Sequence, residues 1–194
     1  MRRPQVGRAS ERLGLLSDLD GTLVDSRDAN LESYRIAFAE IGLPFDGALY
    51  SRAFGLAFDE MMHLIAPGVG DETLLAVKEA KARAYRDRVP GMRVNSALIS
   101  LLADAHERGR PTALVTTARR TNVARVVEAF DLGDVFDAVI CAEDVDRGKP
   151  APDCYLAAAS ALELKPEDCV VFEDSPVGVA AAERAGCLVM KVVL

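Results

Sequence analysis

From Val94 onward the sequence keeps one rhythm, and that rhythm leaves few architectures open. Leu98, Leu101, Leu102 and Ala105 form a helical stripe closed by Gly109, and Thr112 to Val115 follows as a short unbroken apolar run. The pattern recurs: Val123, Val126, Val127 and Phe130 precede Ala138 to Cys141, and Tyr155, Leu156, Ala159 and Leu162 precede Cys169 to Phe172. A last stripe, Val177 to Ala185, ends at Gly186 and leads into Leu188 to Leu194. Apolar runs without alternation are strands buried on both faces. With Leu13 to Leu16 near the N-terminus they make an α/β fold: a five-stranded parallel sheet with helices on both faces and right-handed crossovers.

The stretch between the first strand and this repeating half is different. Leu31, Tyr34, Phe38 and Ile41 recur at helical spacing until Gly42 and Pro44. A second helix is expected around Asp59 to Ile65, and a third from Asp71 to Val89, with Leu74, Val77, Ala80 and Ala84 on one face. Nothing between Ser26 and Pro90 alternates like a strand, so a small all-helical insertion follows the first strand. The expected division is residues 1–23 and 91–194 as the sheet unit, with 1–12 a solvated arm, and 24–90 as the insertion.

In an open α/β sheet, ligands bind beyond the carboxyl ends of the strands, so the polar residues at those ends matter most. The first strand ends in Asp18 and Asp20 with Gly21 in the turn, and the second in Thr116 and Thr117, with Arg119 close behind. The third is followed by Lys149, and the fourth ends in Glu173 and Asp174. Taken singly, each has an ordinary explanation as a turn residue or helix cap. An EF-hand start is excluded, because that loop needs its glycine at the sixth position and Gly21 stands at the fourth.

If Asp18, Asp20, Glu173 and Asp174 converge, each like-charged pair at ~4 Å costs about 4 kcal/mol at an effective dielectric of 20. A cation is required. Oxygen donors without His or Cys favour Mg²⁺, which also accepts a phosphate oxygen. The net charge of -7 argues against nucleic acid or an acidic membrane surface as partner. No apolar run approaches a membrane span, and Cys141, Cys154, Cys169 and Cys187 lack zinc-site spacing, so free thiols and a cytoplasmic location are expected.

The segments DLDGTLVDS, ALVTTA, GKPAPD and VFEDSPVG, in that order, resemble the four motifs of the haloacid dehalogenase superfamily. The resemblance covers the chain from Leu13 onward and is strongest to the phosphatase and phosphomutase branch. It implies a Rossmann-like core and a helical cap that closes over the site. It also implies roles: Asp18 as nucleophile, Asp20 as acid and base, Thr116 as hydrogen-bond donor to the phosphoryl group, and Lys149 as its counter-charge. Asp18, Glu173, Asp174 and the Asp20 carbonyl would hold Mg²⁺, and the substrate would be a small phosphate ester contacted by Gly21, Thr117 and Arg119.

Two features depart from the family pattern: Ser17 stands where an apolar residue is usual, and Leu194 follows directly on the fifth strand. Taking Gly55 as the cap-loop glycine that meets substrate, its neighbours are Phe54 and Phe58, with Arg52 the one nearby cation. Mutases grip a second phosphate there, so a phosphatase is favoured and a sugar-phosphate mutase stays as the alternative. A signalling receiver domain shares these residue types but places the acidic pair first and the phosphorylated Asp later.

Overall fold

The computed structural model describes residues 13–54, 56 and 58–194. The expected arm over residues 1–12 and the expected substrate contact at Gly55 lie outside the described residues. Strands β1 (Gly14–Ser17), β4 (Thr112–Val115), β5 (Ala138–Ile140), β6 (Cys169–Glu173) and β7 (Leu188–Lys191) form one sheet in the order β5-β4-β1-β6-β7. Every neighbouring pair is parallel. The strand that carries Asp18 at its end therefore lies at the centre, between the strands that lead to Thr116 and to Glu173.

Alternation along the strands divides the core. Leu15, Leu114, Val170 and Phe172 pack toward helices α5 (Ser96–Glu107) and α6 (Arg120–Ala129). Leu16, Ala113, Val115, Cys169 and Val171 pack toward α7 (Asp153–Ala161) and α8 (Pro176–Ala185). Both faces are covered, and all four cysteines are free and buried. Strand β7 is a sheet edge on which Leu188 and Met190 remain exposed.

Among the described residues the insertion holds four helices, α1 (Arg27–Ile41), α2 (Gly47–Ala53), α3 (Phe58–Ile65) and α4 (Asp71–Arg86), around a separate core that includes Phe38, Tyr50, Met62 and Val77. The sequence reading missed α2, whose N-cap Asp46 accepts the amides of Ala48 and Leu49. The third expected helix stops at Arg86, short of Val89, because Val89–Gly91 tightens into a 3₁₀ turn around Pro90.

The chain enters the insertion through β2 (Val24–Asp25) and returns through β3 (Arg93–Val94), and these two-residue strands pair antiparallel. The Arg93 guanidinium donates to Asp25 Oδ2 at 2.5 Å across the pair. Such short segments show no alternation in the sequence. Among the described residues no helix is long and apolar enough to cross a membrane.

Candidate active site

At the carboxyl end of β1, Asp18 is only 7% exposed. Its amide donates to the Phe172 carbonyl at 3.0 Å, which ties Asp18 to β6. Ser17 is fully buried, and its hydroxyl donates to the Asp18 carbonyl at 2.8 Å. A hydroxyl can therefore replace the usual apolar residue without leaving a polar atom unpaired.

Lys149 reaches the same point from the loop after β5. Its Nζ donates to Asp18 Oδ1 at 2.6 Å, to Glu173 Oε1 at 2.7 Å and to the Val115 carbonyl at 3.2 Å, and lies 5.0 Å from the centre of the Tyr155 ring. All three donor positions of the ammonium are used. Burial alone would lower the lysine pKa, but Asp18, Tyr155 and Glu173 outweigh it, so the ammonium stays charged. Burial pushes the Asp18 carboxyl up to about 8, with Lys149 opposing and Glu173 and Asp20 adding to the rise.

Glu173 is fully buried and fully engaged. Oε1 accepts from Lys149 and from the Tyr155 hydroxyl at 3.1 Å, and Oε2 accepts from the Ser175 amide at 2.9 Å and hydroxyl at 3.0 Å. Helix α8 begins directly against this carboxylate, and a Cβ at Gly178 would fall on it. Only glycine permits so close an approach.

Asp174 is half-buried beside Gly21, whose φ of +93° and lack of a side chain leave room for the carboxylate. Thr22 donates to Asp174 Oδ1 at 3.3 Å, and burial with the nearby Glu173 charge raises the Asp174 pKa. One oxygen each from Asp18, Glu173 and Asp174 lie within 4.8 Å of one another. Three carboxylates against one ammonium form a site short of positive charge, and an all-oxygen donor set of this kind suits a small divalent cation. Asp20, partly buried in the same turn, accepts a hydrogen bond from the Ser26 hydroxyl at the entry to the insertion.

Thr116 is buried, with its oxygen accepting the Ala118 amide at 3.0 Å, while Thr117, Ala118 and Arg119 form the cleft wall in front of it. The cleft, about 430 Å³, lies between sheet and insertion and contains Asp18, Asp20, Lys149 and Asp174. Its far wall holds residues the sequence reading did not single out for a site role, among them Arg27, Asn30, Tyr34 and Tyr85. Arg52, by contrast, is exposed and off the cleft.

Lys81 is the most informative of the missed residues. It is 9% exposed, and its Nζ lies 4.1 Å from the Tyr85 ring centre and 5.3 Å from that of Tyr34. Burial lowers its pKa to about 8, with Asp20 opposing the shift. One signal was available: Lys81 falls four residues after Val77 and seven after Leu74, on the apolar stripe of α4.

A parallel α/β sheet with a helical insertion after its first strand, and acids, a hydroxyl and a lysine gathered at one rim, is the arrangement of an enzyme with a Rossmann-like core. The model of the haloacid dehalogenase-like hydrolases matches residues 14–186, and the chain belongs to that family. It is 36% identical over 189 residues to the plasmid-encoded protein CbbY of Cupriavidus necator, spanning 89% of this chain and 74% of that protein. It is 33% identical over 172 residues to validoxylamine A 7'-phosphate phosphatase of Streptomyces hygroscopicus, spanning 88% and 81%. The crystal structure of CbbY from Rhodobacter sphaeroides with phosphate superposes with a TM-score of 0.84 at 24% identity, covering 94% of this chain and 87% of that one.

Proposed function

We propose that this chain is a Mg²⁺-dependent phosphatase that releases phosphate from a small organic monoester through an aspartyl-phosphate on Asp18. The observation that carries the reading is the Lys149 ammonium held between Asp18 and Glu173 at the floor of a cleft with Asp20 and Asp174. Asp18 Oδ1 is held by Lys149, which leaves its other oxygen to attack phosphorus. The lysine then offsets charge on the transferred group. Asp20, anchored by Ser26, protonates the leaving oxygen and later takes a proton from water. Thr116 and the backbone of Thr117 hold the phosphoryl oxygens.

Asp18, Asp174 and the Asp20 carbonyl would hold the cation. When bound it would screen the repulsion between the Asp18 carboxylate and an anionic phosphate. Glu173, with both oxygens already accepting two hydrogen bonds, fits better as the residue that fixes Lys149 than as a free ligand. Residues 24–90 would form a cap that closes over the site, and the paired crossings of β2 and β3 support that reading. The free buried cysteines fit a reducing, cytoplasmic compartment.

The far wall mixes aromatic rings with amides and cations, a surface suited to a polyhydroxylated leaving group such as a sugar or cyclitol. The Streptomyces relative, named as a phosphatase of validoxylamine A 7'-phosphate, supports a small organic phosphate ester as substrate. A second reading, a substrate with another anionic group as in a sugar-phosphate mutase, is favoured by Arg27, Lys81 and Arg119. All three line the cleft with no ion-pair partner among the described residues.

The test is phosphate release from a panel of sugar mono- and bisphosphates with Mg²⁺, with excess chelator, and with Asp18→Asn. Release is expected to require Mg²⁺ and to fall by at least about a thousandfold in the variant. Full activity in Asp18→Asn would falsify the nucleophile assignment.

A further inference from the structure

Away from the chain crossings near β2 and β3, one hydrogen bond joins the insertion to the sheet unit among the described residues. Arg125 Nη1, on α6, donates to the Ala82 carbonyl of α4 at 2.9 Å. The same nitrogen lies 3.3 Å from Asn122 Oδ1, one turn back on α6. Ala82 and Asn122 both line the cleft, from opposite sides. A helical carbonyl keeps a second lone pair for such a donor. The turn of α4 gripped here is the one that carries Lys81.

The chemistry of the guanidinium fixes the Asn122 amide. Arginine donates and never accepts, so the atom facing it is the amide oxygen, and the amide nitrogen is the end left for the cleft. If α4 moved away, Arg125 would lose the Ala82 carbonyl and the constraint on its own position over Asn122.

We propose that Arg125 is a positioning residue: it clasps α4 against α6 and, through the same nitrogen, turns the Asn122 N–H toward a lone pair on the substrate's leaving group. Closure of the insertion and recognition of a hydroxyl or ether oxygen then occur as one event. This rests on the reading of the cleft as the site of phosphate-ester hydrolysis.

The experiment pairs a distance with kinetics. Spin labels at E72C on the insertion and D134C on the sheet unit, both exposed positions in a chain whose native cysteines are buried, report closure without any need for turnover. R125M is expected to lengthen the label distance and to raise KM for glucose 6-phosphate about tenfold, with kcat changed less than about threefold. R125K, which keeps a donor, should restore both in part. N122A should raise KM while the distance stays at the wild-type value.

An unchanged distance in R125M, a lengthened distance with unchanged KM, or an N122A enzyme with wild-type KM would each overturn the proposal. Should the parent protein release no phosphate, the hydrolase reading fails, and the label distances alone then decide whether Arg125 is a clasp.

Discussion

Lys149 Nζ stands 2.6 Å from Asp18 Oδ1 in a pocket where the two side chains are 3% and 9% exposed. A pair this deep is costly to break from one side, because the abandoned charge remains buried. Lys149→Met removes the counter-charge of both Asp18 and Glu173. It is expected to destabilise the fold by about 3–5 kcal/mol and to abolish phosphate release. Denaturant unfolding with a parallel activity assay checks this; a variant of wild-type stability would mean that water already screens the pair.

Gly178→Ala places a methyl on the Glu173 carboxylate, which has no room to retreat from Lys149, Tyr155 and Ser175. Loss of activity by more than about tenfold is expected together with a lower Tm. Gly133→Ala, at a position with open space around the Cβ, is the control and should leave Tm within about two degrees.

Asp18 binds a proton more readily folded than unfolded, since its pKa rises from 3.8 to about 8. Between those values the native state holds more protons than the unfolded chain, so the metal-free protein loses stability as pH rises. A cation that requires the carboxylate form acts in the opposite sense. Thermal melts with chelator should therefore fall from pH 5 to pH 8, and the increment from added Mg²⁺ should grow over the same range. An increment that shrinks with pH would count against Asp18 as a ligand.

Lys81, with its pKa lowered to about 8, loses its charge as pH climbs past that value. Its attraction for an anionic substrate is full below pH 8 and fades above it. KM for a sugar phosphate should rise above pH 8 in the parent enzyme. In Lys81→Met it should be several-fold higher at pH 7, with that pH-dependent step gone. A parent-like KM profile in the variant would remove Lys81 from the substrate site.

Local periodicity determined a large part of this protein. Five short apolar runs separated by helical stripes can be buried only as a parallel sheet covered on both faces, and the residues just past those runs had to share one rim. Asp18, Asp20 and Asp174 were legible for that reason, and Lys149, eight residues past Cys141, through the likeness of GKPAPD to the family motif.

Tertiary structure alone decided what these residues touch. Glu173 reads in the sequence as one acid among four, and only the approach of Tyr155, Ser175 and Gly178 turns it into the anchor of Lys149. The far wall of the cleft was hidden for a related reason: Arg27, Asn30, Lys81 and Tyr85 gain meaning from packing across more than fifty residues of intervening chain. Strands β2 and β3 are too short for any repeat to register, yet their pairing sets where the insertion joins the sheet. Sequence patterns record which face of each element must leave water; the partner on the other side of a contact is set by how the elements come together.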